Sequence, residues 1–145
     1  MSIQFKDIDK NNWEECIRLT VSDDQRVFVA DNCYSLLQSK FVEGYYPLAL
    51  YAKEKMVGFL MYGRDPETQR MEMCRLMIDK NYQGKGYGKE AVIKLIVLIR
   101  NTYGNIEFYT SAEPENVRAL KLYEDVGFKK TGEIMWDEAV LKIQL

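Results

Sequence analysis

Between Arg75 and Val92 the chain reads RLMIDKNYQGKGYGKEAV, with Gly84, Gly86 and Gly88 falling within five residues. This spacing points to phosphate chemistry, and several loops compete. A Walker A loop needs four residues between its glycine and Gly-Lys-Ser/Thr. Here the gap is shorter, and Glu90 stands where a magnesium-binding hydroxyl belongs. A dinucleotide fingerprint needs G-x-G-x-x-G in a parallel βαβ unit. These glycines instead give G-x-G-x-G after what reads as an antiparallel hairpin. A third reading is Gln83-x-x-Gly86-x-Gly88 on a strand-to-helix turn, where loop N–H groups and a helix N-terminus converge on a diphosphate. Side chains on these glycines would block that approach, and Lys85 and Lys89 add positive charge. A plain surface turn is the fourth reading, although three glycines cost roughly 0.5–1 kcal/mol each relative to alanine when merely ordered.

The chain has no histidine. That removes the commonest general base, the Ser-His triads and most zinc sites. Any catalysis must use carboxylates, tyrosines, a thiol, water or backbone groups, and no metal is expected. The three cysteines, Cys16, Cys33 and Cys74, are far apart and odd in number, which fits a reduced protein without a disulfide frame. Cys74 has apolar strand neighbours and reads as a buried, inert thiol. A net charge of −2 offers no basic footprint for nucleic acid. At 145 residues and 47% hydrophobic, the chain is expected to form one globular domain, residues 1–145. The opening MSIQFKDIDKNNW lacks a basic region followed by an apolar one. The most apolar run, Ala91 to Ile99, is interrupted by Lys94 and is too short for a bilayer. The expectation is a cytoplasmic protein without a membrane partner.

The elements that must position these residues follow from periodicity. SIQFKDI alternates as a strand. Asn11 or Asn12 is placed to cap a short helix with Trp13, Cys16 and Ile17 inside. A second helix covers roughly 31–42. LALYAK and MVGFLMYG form a hairpin through Lys53, Glu54 and Lys55, and MEMCRLMID adds a third antiparallel strand. Pro47, Pro66 and Pro114 fall at element boundaries. A helix to about Arg100 follows the glycines, apolar over most of its circumference and so buried against a sheet. NIEFYTSA is a strand, Asn116 caps the helix VRALKLYEDV, and Gly127 suits a left-handed stop. FKKTGEIM and EAVLKIQL close the chain. The order β-α-α-β-β-β-α-β-α-β-β is α/β, with one mixed and mostly antiparallel sheet of about seven strands flanked by about four helices.

Q-x-x-G-x-G after a central strand resembles the acetyl-CoA pyrophosphate motif of the GNAT N-acetyltransferases. A second block, NVRALKLYEDVGF, agrees independently through Asn116, Ala119, Tyr123, Gly127 and Phe128. The strand order matches that fold from end to end. QRVFVADNCYSLLQS, MVGFLMYG, LMIDKNYQGKGYG and TGEIMWDEAVLKI are similar to the bacterial spermine/spermidine or diamine branch.

The resemblance implies direct transfer of acetyl from acetyl-CoA to a primary amine in a ternary complex. It implies that the strand before the loop splays from its neighbour, so that Leu76, Met77 and Ile78 offer a backbone edge to the pantetheine arm. A backbone N–H at Met77 or Ile78 would polarise the thioester. Gln83, Gly84, Lys85, Gly86, Tyr87, Gly88 and Lys89 would hold the diphosphate. Tyr123 would donate a proton or hydrogen bond to the departing thiolate, and Asn116 would bond the pantetheine, cap its helix, or both. The resemblance does not supply a base. Glu72, upstream on the same strand, is the candidate, with a solvated edge-strand glutamate as the plain alternative. Asp23, Asp24, Glu72, Asp137 and Glu138 are the acidic candidates for a cationic substrate, and Trp136 and Tyr34 for its alkyl segments. An acceptor of another kind (an aminoglycoside, an amino acid or a protein N-terminus) and a non-catalytic acetyl-CoA-binding module stay open. A homodimer, with Val140 to Leu145 pairing or packing across subunits, accords with the family.

Overall fold

A computed structural model describes residues 2–145. Seven strands form one sheet in the order β1-β2-β3-β4-β5-β7-β6. They are β1 (Ile3–Asp7), β2 (Tyr45–Ala52), β3 (Lys55–Arg64), β4 (Met71–Ile78), β5 (Glu107–Ala112), β6 (Lys129–Met135) and β7 (Glu138–Gln144). The helices are α1 (Trp13–Arg18), α2 (Asn32–Phe41), α3 (Tyr87–Tyr103) and α4 (Val117–Asp125). Element order and fold class are those read from the sequence. Every strand pair is antiparallel except β4–β5.

Strand β3 is apolar on both sides because both faces of the sheet are covered. Leu60 faces a core built with Leu95 and Ile99 of α3 and Leu120 of α4. Phe59 and Met61 face the other way, toward Cys16 of α1 and the α2 side. One extra residue in β4, Cys74, makes a bulge opposite Met61 and Tyr62. After it, Leu76 and Ile78 return to the α3 face, while Met77 faces α1 and α2. Strand β4 pairs with β5 only through Met71, Met73 and the residue between them, opposite Phe108–Thr110. Beyond Met73 the two strands diverge, and β5 continues alone with β7 to Ala112.

Several local expectations are corrected. Trp13 is 45% exposed, because the six-residue α1 reaches the core through Cys16 alone. Asn12 is the N-cap residue of α1, but its side chain makes no capping bond to the helix. Its side chain accepts from Asp9 N–H at 2.8 Å and donates to Asp7 O at 3.0 Å. Pro47 lies inside β2, not at its boundary. The position tolerates a missing N–H because β1 pairing begins only at Leu48. Lys55 belongs to β3, opposite Ala52, so Lys53 and Glu54 alone make the turn. Glu72 is not on an edge strand, since β4 is flanked by β3 and β5. Strand β7 likewise is paired on both sides, so it offers no free edge to a second subunit; β1 and β6 are the open edges.

Gly58 shows how tightly β3 meets β4. A Cβ there would lie 2.4 Å from Met77 O and 2.9 Å from Ile78 Cδ1. Gly58→Ala must push β4 outward where its backbone forms the wall of a groove. We expect a loss of roughly 1–3 kcal/mol, read as a lowered midpoint in thermal unfolding.

Candidate active site

The glycine loop is built in steps. Asp79, buried, ends β4 with two bonds: its carboxylate accepts from Asn81 N–H at 3.1 Å and Thr20 N–H at 2.9 Å. A 3-10 turn, Lys80–Tyr82, follows. Gly84 and Gly86 then take φ of +78° and +84°, a left-handed conformation that glycine adopts without steric cost. Gly86 is the N-cap of α3 and carries no side chain to cap it. The first intrahelical bond is Glu90 N–H to Gly86 O at 3.1 Å, so the N–H groups of the first turn point out of the helix. Gly88 has a different reason: a Cβ there would sit 3.3 Å from Leu122 Cδ1, so its absence lets α3 and α4 close on each other.

Those N–H groups open into a groove of about 230 Å³ in the gap between β4 and α4. Of the predicted cofactor residues, Leu76, Met77, Ile78, Gln83, Gly84, Gly86, Tyr87, Gly88, Lys89, Asn116 and Tyr123 all line it, whereas Lys85 does not. Gln83 Nε2 donates to two protein oxygens, Ile78 O at 2.9 Å and Gln25 Oε1 at 2.8 Å. Asn116 caps α4, accepting from Ala119 N–H at 3.4 Å, and also faces the groove.

Tyr123 and Asn116 belong to this groove and to a second one, of about 260 Å³. Tyr123 thus stands where the two grooves adjoin, with Phe28, Val29, Leu76 and Ala119 also common to both. Burial pushes its phenol up to about 12, opposed by the neighbouring Thr110 hydroxyl, so it is protonated at neutral pH. The second groove is lined by Phe28 and Val29 from the α1–α2 connection, Cys74 and Arg75 of β4, Ser111 of β5 and Glu138 of β7. Glu138 accepts from Ser111 Oγ at 2.6 Å. The hairpin carrying it is clamped to the sheet by Arg70, which donates to both oxygens of Glu133 at 3.1 Å and stacks 4.4 Å over Tyr109. Burial holds the Cys74 thiol up to about 12, which leaves it un-ionised and inert.

Glu72 lies next to this groove rather than in it. It shares a small hollow with Tyr109 and Trp136, and Thr110 and Ser111 line both spaces. Burial pushes its carboxyl up to about 7, helped by the adjoining Asp65 carboxylate and opposed by Arg75. Asp65 is held in turn by Glu67 and Thr68 N–H, at 2.8 and 2.9 Å. The other acidic candidates are scattered. Asp23 pairs with Arg26 at 3.4 Å, and Asp24 accepts from Ser22 Oγ at 2.7 Å; neither lines a groove. Asp137 is exposed at the β6–β7 turn with φ +61°. Tyr34 is 59% exposed on the outside of α2. Gln25, Phe28, Val29, Arg75, Ser111 and Arg118 are groove residues that the sequence pattern does not mark.

Residues 8–128 match the Acetyltransferase (GNAT) family, and the chain belongs to that family of acetyltransferases. It is 34% identical over 140 residues to the spermine/spermidine N(1)-acetyltransferase of Bacillus subtilis (strain 168), covering 92% of both chains. Its fold superposes on an aminoglycoside acetyltransferase in complex with coenzyme A, with TM-score 0.80 and 16% identity over 99% of this chain and 95% of that one. It also superposes on the spermidine N-acetyltransferase of Vibrio cholerae in complex with CoA and spermine, with TM-score 0.74 and 14% identity over 97% and 92%.

The Glu72 carboxyl has a direct consequence for stability. The folded state holds the proton up to about pH 7, above the ordinary value of 4.5. The stabilisation is complete below the ordinary value and is lost as pH rises through 7. Glu72→Gln keeps a donor for Asp65 without the ionisation. Its thermal midpoint is expected to exceed the wild type's by roughly 3–10 °C at pH 8 and to converge toward it at pH 4.5.

Proposed function

We propose that the protein transfers the acetyl group of acetyl-CoA directly to a primary amine, with a polyamine such as spermidine or spermine as the acceptor. The observation that carries this reading is the position of Tyr123, a neutral phenol that lines two adjoining grooves where β4 leaves β5. The spermine/spermidine relative and the fold shared with a spermidine N-acetyltransferase support the acceptor.

Acetyl-CoA supplies the thioester, and coenzyme A leaves as the thiol. The first-turn N–H groups of α3 take the diphosphate, and the dipole of a 17-residue helix favours it. Lys89 and Arg118 add charge at the rim. The backbone of Leu76, Met77 and Ile78, freed by the divergence, pairs with the pantetheine arm and donates to the thioester oxygen. An alkyl amine near pKa 10.4 is neutral in about one molecule per thousand at pH 7.4, a cost of roughly 4 kcal/mol. Glu138 receives the ammonium in the second groove. Glu72, with a carboxyl matched to neutral pH, takes the proton by relay through a water or the Ser111 hydroxyl, which lines both spaces. The neutral amine then attacks the thioester carbonyl, and the C–S bond breaks as the C–N bond is kept. Tyr123 then donates to the departing thiolate, whose free pKa is about 8.5. The protein acts in the cytoplasm, and a homodimer would form through surfaces other than the edges of β7, which are both paired.

One observation favours a second acceptor. The Arg75 guanidinium lines the amine groove, yet its bonds go only to neutral groups: Ser35 Oγ at 3.1 Å, Cys74 O at 2.8 Å and Gln38 Oε1 at 3.0 Å. An amine that also carries a carboxylate, such as an amino acid, would satisfy that charge.

Thiol release from acetyl-CoA, followed with spermidine, spermine, putrescine, aminoglycosides and amino acids, separates the two. Turnover with spermidine or spermine alone is the expected result; turnover confined to carboxylate-bearing amines overturns the polyamine assignment. Tyr123→Phe is expected to lower kcat by roughly 10²-fold and to leave acetyl-CoA affinity within about twofold. Unchanged turnover would remove Tyr123 from the chemistry.

A further inference from the structure

Gln83 has three partners, and their chemistry fixes its orientation. Its Nε2 donates to Ile78 O and to Gln25 Oε1, and its Oε1 accepts from Arg118 at 3.4 Å. A backbone carbonyl only accepts and a guanidinium only donates. The Gln83 amide therefore sits one way round, and Gln25 is held by its oxygen. Gln25 lies in a 3-10 turn, Asp23–Gln25, within the connection between α1 and α2. The root of that connection is fixed separately. Thr20 N–H donates to Asp79, and Thr20 O accepts from Lys80 N–H at 2.8 Å. Just beyond Gln25, Phe28 and Val29 line both grooves. One amide pair thus joins the glycine loop to the segment that walls the amine groove.

We propose that the Gln25–Gln83 pair is a latch by which occupancy of the glycine loop orders residues 20–30, so that Gln25 is a positioning residue for the amine. This rests on the acetyl-CoA reading above. A diphosphate on the α3 N-terminus restricts loop 83–89. Gln83, carried by that loop, then has fewer positions from which to hold Gln25. The segment behind Gln25 loses motion, and the second substrate meets a wall that is already ordered. Coupling of this kind needs no displacement of the backbone. Arg118 strengthens it by fixing the Gln83 amide from the α4 side.

Hydrogen exchange of the full chain with saturating coenzyme A tests the latch whatever the amine acceptor is. In the wild type, coenzyme A is expected to slow exchange in both 83–92 and 20–30. In Gln25→Leu, 83–92 stays protected while the added protection of 20–30 falls ~5-fold, the effect of one lost hydrogen bond. Gln25→Glu still accepts from Gln83 and restores it. Undiminished protection of 20–30 in Gln25→Leu would overturn the latch, because direct contact of Phe28 and Val29 with the ligand would then suffice. Coenzyme A that protects neither segment overturns the cofactor assignment, and the latch with it.

Discussion

The site depends on one interruption of hydrogen bonding: the parallel pairing of β4 with β5 stops after Met73. A parallel pair that continued would bury its backbone groups in the ladder and leave no edge for a ligand. Three features end it. The Cys74 bulge bends β4. The Thr110 hydroxyl donates to Met73 O at 3.1 Å, closing the last rung with a side chain. Strand β5 is held by β7 over its whole length, so it cannot follow β4. Helix α4 then lays Asn116 and Tyr123 along the open wedge. Both grooves and the phenol that lines them follow from that divergence.

The two grooves differ in their electrostatics. The groove at the α3 N-terminus is governed by fixed dipoles: helix N–H groups, a free strand edge and rim cations. The groove that holds Glu138 is governed by burial. Desolvation is the first cause of the raised values of Cys74 and Tyr123 in it and of Glu72 beside it. Of these only Glu72 would be charged in water at pH 7, and burial brings its carboxyl up to about 7; the thiol and the phenol, neutral in water as well, are held still further from ionising. A neutral phenol can give a proton, and a carboxyl balanced near 7 can take one. The same burial that raises the Glu72 carboxyl lowers the stability of the fold at neutral pH and above.

The glycine loop illustrates how far sequence reasoning reaches. Three glycines in five residues suggest one shared purpose, but the structure gives them separate ones. Gly84 and Gly86 supply left-handed backbone, and Gly88 supplies room for Leu122. Gln83, which reads in the sequence as part of a phosphate motif, commits its amide to Ile78, Gln25 and Arg118. A motif records that residues recur together; it does not record whether each touches the ligand or holds a neighbour that does.

The amino-acid sequence by itself determined the elements, their order and the glycine loop. These rest on local physics: side-chain period along a strand or helix, backbone freedom at glycine, and spacing within one segment. Only the tertiary structure decided which acids share a space. Glu138 faces Tyr123's groove, Glu72 lies one wall behind it, and Asp23 and Asp24 pair with their own sequence neighbours outside it. It also placed Gln25, Arg75 and Arg118 on the grooves. A carboxylate's burial, its pKa and its partners depend on what packs against it from distant parts of the chain, and no pattern within its own segment carries that information.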